Sequence, residues 1–174
     1  NGVFNPGTLK RIDQLTRELT SLQRGPNGRP AVFLPADGDW PQQMVQPDLR
    51  PVSKWEQLLA LAFSQDHERL FDEEGNSCII ASELISPSVV DNIRQAESGQ
   101  LAIEYLMETV PQTDEEALRL RDDAMNNPLY NGTLVAEDGK AMALYIPLKA
   151  KTYSYNVAKL VEKLTADWPA EDQV

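Results

Sequence analysis

An α+β fold follows from three features of this 174-residue sequence. Five segments carry apolar residues at helical spacing behind recognisable start signals. One run, Met142, Leu144, Ile146 and Leu148 interleaved with Ala141, Ala143, Tyr145 and Pro147, has the period of two that marks a strand with one buried face. Stop and turn signals, Asn127-Pro128 and Asp138-Gly139, separate the two kinds of element.

The elements follow in order. Asn5 is a good N-cap and Pro6 suits the first helical position. Leu9, Ile12, Leu15, Leu19 and Leu22 then form one stripe, so a helix is expected over 6–22, ending near Gln23 to Gly25. Residues 26–51 hold six of the twelve prolines, which leaves room for little regular structure beyond Ala31 to Leu34. Trp40, Met44 and Val45 favour an ordered surface excursion over a bare linker. Ser53 with Glu56 makes a capping box for a second helix, with Trp55, Leu58, Leu59, Ala62 and Phe63 on its apolar face. Residues 72–76 read as a turn and 77–83 as a short strand. Ser86-Pro87 is a second cap-plus-proline signal, predicting a helix through Val89, Val90 and Ile93 towards Gly99. Residues 100–108 fit either helix or strand.

Thr113 and Glu116 form another capping box, opening a helix with Leu118, Leu120 and Met125 that Pro128 stops. Leu134-Val135 begins a short strand. Glu137, Asp138 and Gly139 turn the chain into the alternating strand 141–148. Thr152 or Ser154 is expected to cap a last helix, with Val157, Leu160, Val161, Leu164 and Trp168 as its stripe and Pro169 as its end.

Composition narrows the function. With 41% hydrophobic and 25% charged residues the chain has the make-up of an ordinary globular domain, and no apolar run approaches the roughly 18 residues of a membrane span. No basic stretch followed by an apolar one opens it, as a signal peptide would require. The net charge of −11 is concentrated: residues 51–150 carry eighteen acidic against seven basic side chains. Such a chain repels phosphates, so nucleic acid is not an expected partner. The acidic middle is either a solvated face or a surface that docks a protein.

Catalytic chemistry finds no foothold. Cys78 lies in the apolar run Cys78-Ile79-Ile80-Ala81 and reads as a small core residue. His67, between Asp66 and Glu68, reads as a surface residue, since adjacent positions do not share a helix face. A single histidine removes most general-base schemes at neutral pH. No phosphate-cradling glycine loop, zinc spacing or nucleophile triad is present, so no catalytic, metal or cofactor residues are assigned. The pairs Asp122-Asp123 and Glu115-Glu116 read as solvated charge. Asn131-Gly132-Thr133 matches a glycosylation acceptor but suits a turn better.

Three pieces taken together resemble a known family. They are GVFNPGTLKRIDQLTREL at the start, SCIIASELIS in the middle, and VPQTDEEALRLRDDAMNNPLYNGTLVAEDGKAMALYIPL followed by SYNVAKLVEKL. In this order they resemble the first large periplasmic loop of exporters of the resistance–nodulation–division superfamily. The subgroup is the lipid- and hydrophobe-handling one, related to MmpL, hopanoid and Patched-like transporters. The match covers roughly residues 2–22 and 77–168, and 26–76 reads as a Pro-rich and helical insertion in a single porter-type domain spanning 1–174.

The resemblance implies a ferredoxin-like (βαββαβ) porter subdomain. Residues 6–22 would be its first helix, 77–83 its second strand, 141–148 its third and 154–167 its second helix. Strands one and four would lie beyond the two ends, so the chain reads as a cut piece of a longer protein. The exposed sheet edge would invite a homo-oligomer, as a dimer or strand swap. The parent would be a proton-driven exporter in the bacterial inner membrane. Its partners would be a hydrophobic or lipid substrate, the remaining transporter domains and the membrane helices. Trp40, Met44 and Trp55 are candidates to line the substrate path, against the plainer reading in which they pack the insertion onto the domain.

Overall fold

The computed structural model describes residues 2–24, 30–32, 70–95 and 100–172. It is mixed α and β, as expected of an α+β chain. In sequence order come α1 (Pro6–Thr20), β1 (Leu22–Arg24), β2 (Pro30–Val32), β3 (Asp91–Gln95), β4 (Leu101–Tyr105), α2 (Asp114–Asn126) and α3 (Ser154–Leu164). The strands form two antiparallel pairs, β1 with β2 and β3 with β4. The chain divides into two compact units, Asn1–Thr16 with Leu84–Tyr145 and Arg17–Glu83 with Ile146–Val174.

In the first unit, α1 starts where the sequence signals it. The Asn5 side-chain oxygen accepts a hydrogen bond from the Thr8 N–H at 2.9 Å, satisfying one of the orphan donors of the first turn. Leu9, Ile12 and Leu15 are buried as the stripe predicts. So are Thr16 and Asp13, and their polar groups are met: Thr16 Oγ1 donates to Ser86 Oγ at 2.8 Å, and Ser88 Oγ donates to Asp13 Oδ1 at 2.8 Å. These two buried bonds tie α1 to the 86–90 turn.

That turn corrects the helix expected from Ser86-Pro87. The Ser86 carbonyl accepts from the N–H groups of both Val89 and Val90, at 3.1 Å each, so one helical turn does form. It does not propagate. Val89, Val90 and Ile93 are β-branched and pack better on a pleated surface, and cross-strand pairing with Leu101–Tyr105 draws the chain into β3. The same pairing resolves the ambiguous 100–108 stretch as strand over Leu101–Tyr105, with the chain turning after it.

α2 begins on the expected capping box. Glu116 N–H donates to Thr113 Oγ1 at 3.2 Å, and Thr113 N–H donates to Glu116 Oε2 at 3.3 Å. Three acidic residues in its first turn suit the positive end of the helix dipole. Its buried face is Ala117, Leu120 and Ala124, whereas the expected Leu118 and Met125 are only half-buried. Asn127 takes extended backbone angles before Pro128 and ends the helix. The chain then turns twice. Gly139, at φ +66°, closes the second turn with a 2.8 Å bond from its N–H to the Ala136 carbonyl. Phe4 and Leu9 join Leu106, Met107, Ala117, Leu120, Ala124, Leu134 and Val135 in one core.

The alternating run departs from a regular strand. It is held by isolated bridges, Val135 to Met142 and Ile85 to Tyr145 in the first unit and Ile79 to Leu148 in the second. Its apolar residues Met142, Leu144, Ile146 and Leu148 are half-buried rather than enclosed. Pro147 has no N–H, so it accepts from Ile80 at 3.0 Å but returns nothing, and a full ladder cannot run through it. The expected strand 77–83 shrinks correspondingly to bridges at Ser77 and Ile79 followed by a 3-10 turn, Ala81–Glu83.

In the second unit α1 ends at Thr20, short of the expected Gln23, because Leu22–Arg24 pairs with Pro30–Val32 as strand. Residues 72–76 form the expected turn, with Asp72 Oδ1 accepting from the N–H groups of Glu74 and Asn76. α3 buries Val157, Leu160 and Leu164, while Val161 and Trp168 stay half-buried and the helix stops at Leu164 rather than near Trp168. Its first turn has no side-chain cap. Ser154 Oγ donates back to the Lys151 carbonyl at 2.8 Å, so neither Thr152 nor Ser154 caps as expected.

Candidate functional site

Three chain segments of the first unit converge on a cleft of about 640 Å³. The 89–93 entry to β3 supplies Val89, Val90, Asp91, Asn92 and Ile93. The end of α2 supplies Asp123, Asn126 and Asn127, and the turn after it supplies Pro128, Leu129 and Tyr130. The sequence positions them through the helix stop: Asn127-Pro128 redirects the chain so that Leu129 and Tyr130 face β3. The Tyr130 hydroxyl donates to the Asp91 carbonyl and pins the turn to the strand. Burial, and then the Asp91 charge, push the Tyr130 phenol above its usual range, so it stays protonated as a donor. The lining mixes apolar side chains (Val89, Val90, Ile93, Pro128, Leu129) with carboxylates and amides, and among the described residues it includes no lysine or arginine. Such a groove suits an apolar or amphiphilic segment better than an anion.

A second cleft of about 340 Å³ lies between the end of β4 and α2. Glu104, Glu108, Glu116 and Asp123 line it, with Arg119 the one base among the described lining residues, so it is an acidic surface depression.

The residues singled out in the sequence fare differently. Trp40, Met44, Trp55 and His67 lie outside the described residues, as does nearly all of the 26–51 stretch and the helix expected from Ser53. Cys78 is fully buried, and burial pushes its thiol up to about 11, far from the thiolate a nucleophile needs. Glu116 serves the capping box. Glu115 pairs with Arg119 at 2.7 Å and Asp122 with Arg121 at 3.0 Å, all on the surface. Asn131 Nδ2, the atom a glycan would occupy, donates to the Met125 carbonyl at 3.0 Å, and Gly132 takes φ +79°, so the motif works here as a turn. Among the described residues no grouping of His, Cys, Asp and Glu could hold a metal ion.

In the second unit Asp72 is held by several partners. The Lys149 ammonium at 2.7 Å, and then the Asn76 backbone N–H, hold its carboxyl below the usual range. The pair braces the 72–76 turn against the chain after Leu148.

One surface escaped the sequence reading. Ile93, Leu101 and Ile103 are 59%, 74% and 69% exposed, although they sit in a strand pair. The alternation Leu101, Ile103, Tyr105 was the available signal, but period two alone does not say which face turns inward.

The class defined by these features is a mixed α and β chain with a partly apolar surface cleft, and among its described residues no helix is long and apolar enough to cross a membrane. No protein-family model, curated protein or solved structure matches the chain.

Proposed function

We propose that this chain is an extracytoplasmic domain of a proton-driven exporter of the resistance–nodulation–division type, moving lipid or another hydrophobic substrate at the periplasmic face of the bacterial inner membrane. Its role is non-enzymatic. It contributes a ferredoxin-like porter wall along which the substrate passes, while the proton relay belongs to membrane helices of the parent.

One observation carries the proposal. Two of the stretches that carry the resemblance, the opening residues and the Asp-Gly turn region, lie far apart in sequence yet meet in one compact unit. Val3 N–H donates to the Lys140 carbonyl at 3.3 Å. A Cβ on Gly2 would come within 2.8 Å of the Lys140 backbone, so the Gly-Val-Phe opening closes onto the Asp-Gly turn at a distance that glycine alone permits. Phe4 enters the same core as Leu134 and Val135. Residues of three short motifs therefore act as parts of one device, which supports reading the ordered set as a family pattern rather than as separate turns.

Two measurements test it. In the full-length gene product an apolar helix of about 20 residues should precede residue 1 closely, with several more well downstream. Soluble sequence on both sides would sink the proposal. Native mass spectrometry of the detergent-extracted parent should retain lipid adducts. A parent free of lipid that instead holds a protein released by salt would favour the other reading, an interaction module docking through the acidic stretch.

A further inference from the structure

The β3–β4 hairpin wears its apolar side outward. The register sets Ile93 opposite Ile103 and Gln95 opposite Leu101, so Ile93, Leu101 and Ile103 share one face. All three are more than half exposed, while Asn92, on the other face of β3, is 4% exposed. Leu129, 71% exposed, adjoins Ile93 in the cleft. A half-buried hairpin ordinarily does the reverse, turning its polar side to water.

We propose that this face is the two-fold interface of a homodimer, in which the hairpin of one copy packs flat on the hairpin of the other. Three features select a second copy over other occupants. The centre of the face is uncharged and its carboxylate, Asp91, lies at one end beside Tyr105, the arrangement of an apolar core with a polar rim. A basic protein would find its complement on the acidic α2 side instead. The area also fits. The four exposed side chains offer on the order of 300 Å² of apolar surface. A two-fold contact buries that patch twice, so about 600 Å² of apolar area plus the rim reaches the lower end of specific interfaces. Two sheet faces pack at roughly 10 Å with side chains interlocked, which gives the contact its geometry. This proposal does not depend on the transport reading.

The charge on each copy gives the test its signature. At −11 per chain two copies repel, so salt should tighten the dimer, whereas salt loosens a contact between opposite charges. Sedimentation velocity on the 174-residue chain should show a monomer–dimer equilibrium with a dissociation constant on the order of 10 µM, falling as salt rises from roughly 50 to 500 mM. The double variant Leu101→Thr/Ile103→Thr keeps β-favouring residues and should weaken association at least about tenfold, with an unchanged circular dichroism spectrum. If that variant loses its fold, the salt series on the unaltered chain decides alone. A monomer at about 500 µM, a folded variant that dimerises as well as the parent, or a dimer dissociated by salt would each overturn the proposal. So would a monomer that floats with phospholipid vesicles, which would assign the face to lipid.

Discussion

The β3–β4 hairpin and the α2 helix with its following turns are neighbours in sequence and opposites in construction. α2 turns one face inward, Ala117, Leu120 and Ala124 rather than the expected Leu118 and Met125, and keeps its charged residues exposed or half-exposed. The hairpin inverts its pattern, with Ile93 and Ile103 in water and Asn92 enclosed. The difference teaches that apolar periodicity reports the kind of element and not the direction it faces. Direction is set by what else the chain brings to that side. For α2 the core is supplied by Phe4 and by the Leu134-Val135 turn. For the apolar side of the hairpin the described residues supply no such cover, and a second copy is the occupant proposed for it.

Substitutions can break or sharpen this contrast. The largest effect belongs to Phe4→Ala, which empties a fully buried site in the core behind α2. It should cost about 3–5 kcal/mol, read as a drop in the urea midpoint at unchanged slope. Gly139→Ala comes next. A Cβ there meets Arg121 Cδ at 3.2 Å, which a flexible side chain can yield, so the cost is chiefly the positive φ. About 1–2 kcal/mol is expected by the same unfolding measurement.

A smaller, pH-dependent effect lies outside both regions. Because Lys149 and the Asn76 N–H hold the Asp72 carboxyl below its unfolded value, the pair stabilises the fold above the usual carboxylate range. That contribution fades as pH falls through the depressed folded value. Lys149→Met should therefore lower the melting temperature near pH 7 and converge with the parent near pH 2, since protonation has by then removed the charge that the lysine served. The smallest effect is predicted for Ile103→Thr. On a solvent-facing strand position of the monomer it should change stability by less than about 0.5 kcal/mol, measured well below any dimer constant. A loss comparable to that of Phe4→Ala would mean the face is covered within the chain, and would erase the contrast.

Most local signals were legible in the sequence, the Thr152 or Ser154 cap excepted, and non-local ones were not. The Thr113–Glu116 capping box, the Asn5 cap and the Gly139 turn each depend on residues a few positions apart, and each appears with the hydrogen bonds its chemistry predicts. The buried stripe of α1 was equally readable, because helical spacing fixes it. Ser86-Pro87 misled because its helix signal is local, whereas the strand that displaced it depends on Leu101–Tyr105 further along the chain. The run at 141–148 misled in its regularity, since Pro147 denies a ladder one of its donors. Of the candidate site, Asn127-Pro128 foretold the turn that carries Tyr130, but nothing local could place Tyr130 against Asp91. Trp40, Met44 and Trp55, chosen for the substrate path, fall outside the described residues.

The central claim is that this domain works outside the cytoplasm as part of a membrane exporter, and a labelling experiment reaches it most directly. Glu115 is 78% exposed at its side chain, while Cys78, the chain's one native thiol, is fully buried. In spheroplasts, a Glu115→Cys variant of the parent in which any cysteine outside residues 1–174 has been replaced should react with a membrane-impermeant maleimide, while the same protein with Glu115 intact stays unlabelled. Labelling that appears only after the membrane is broken would place the domain in the cytoplasm and contradict the account.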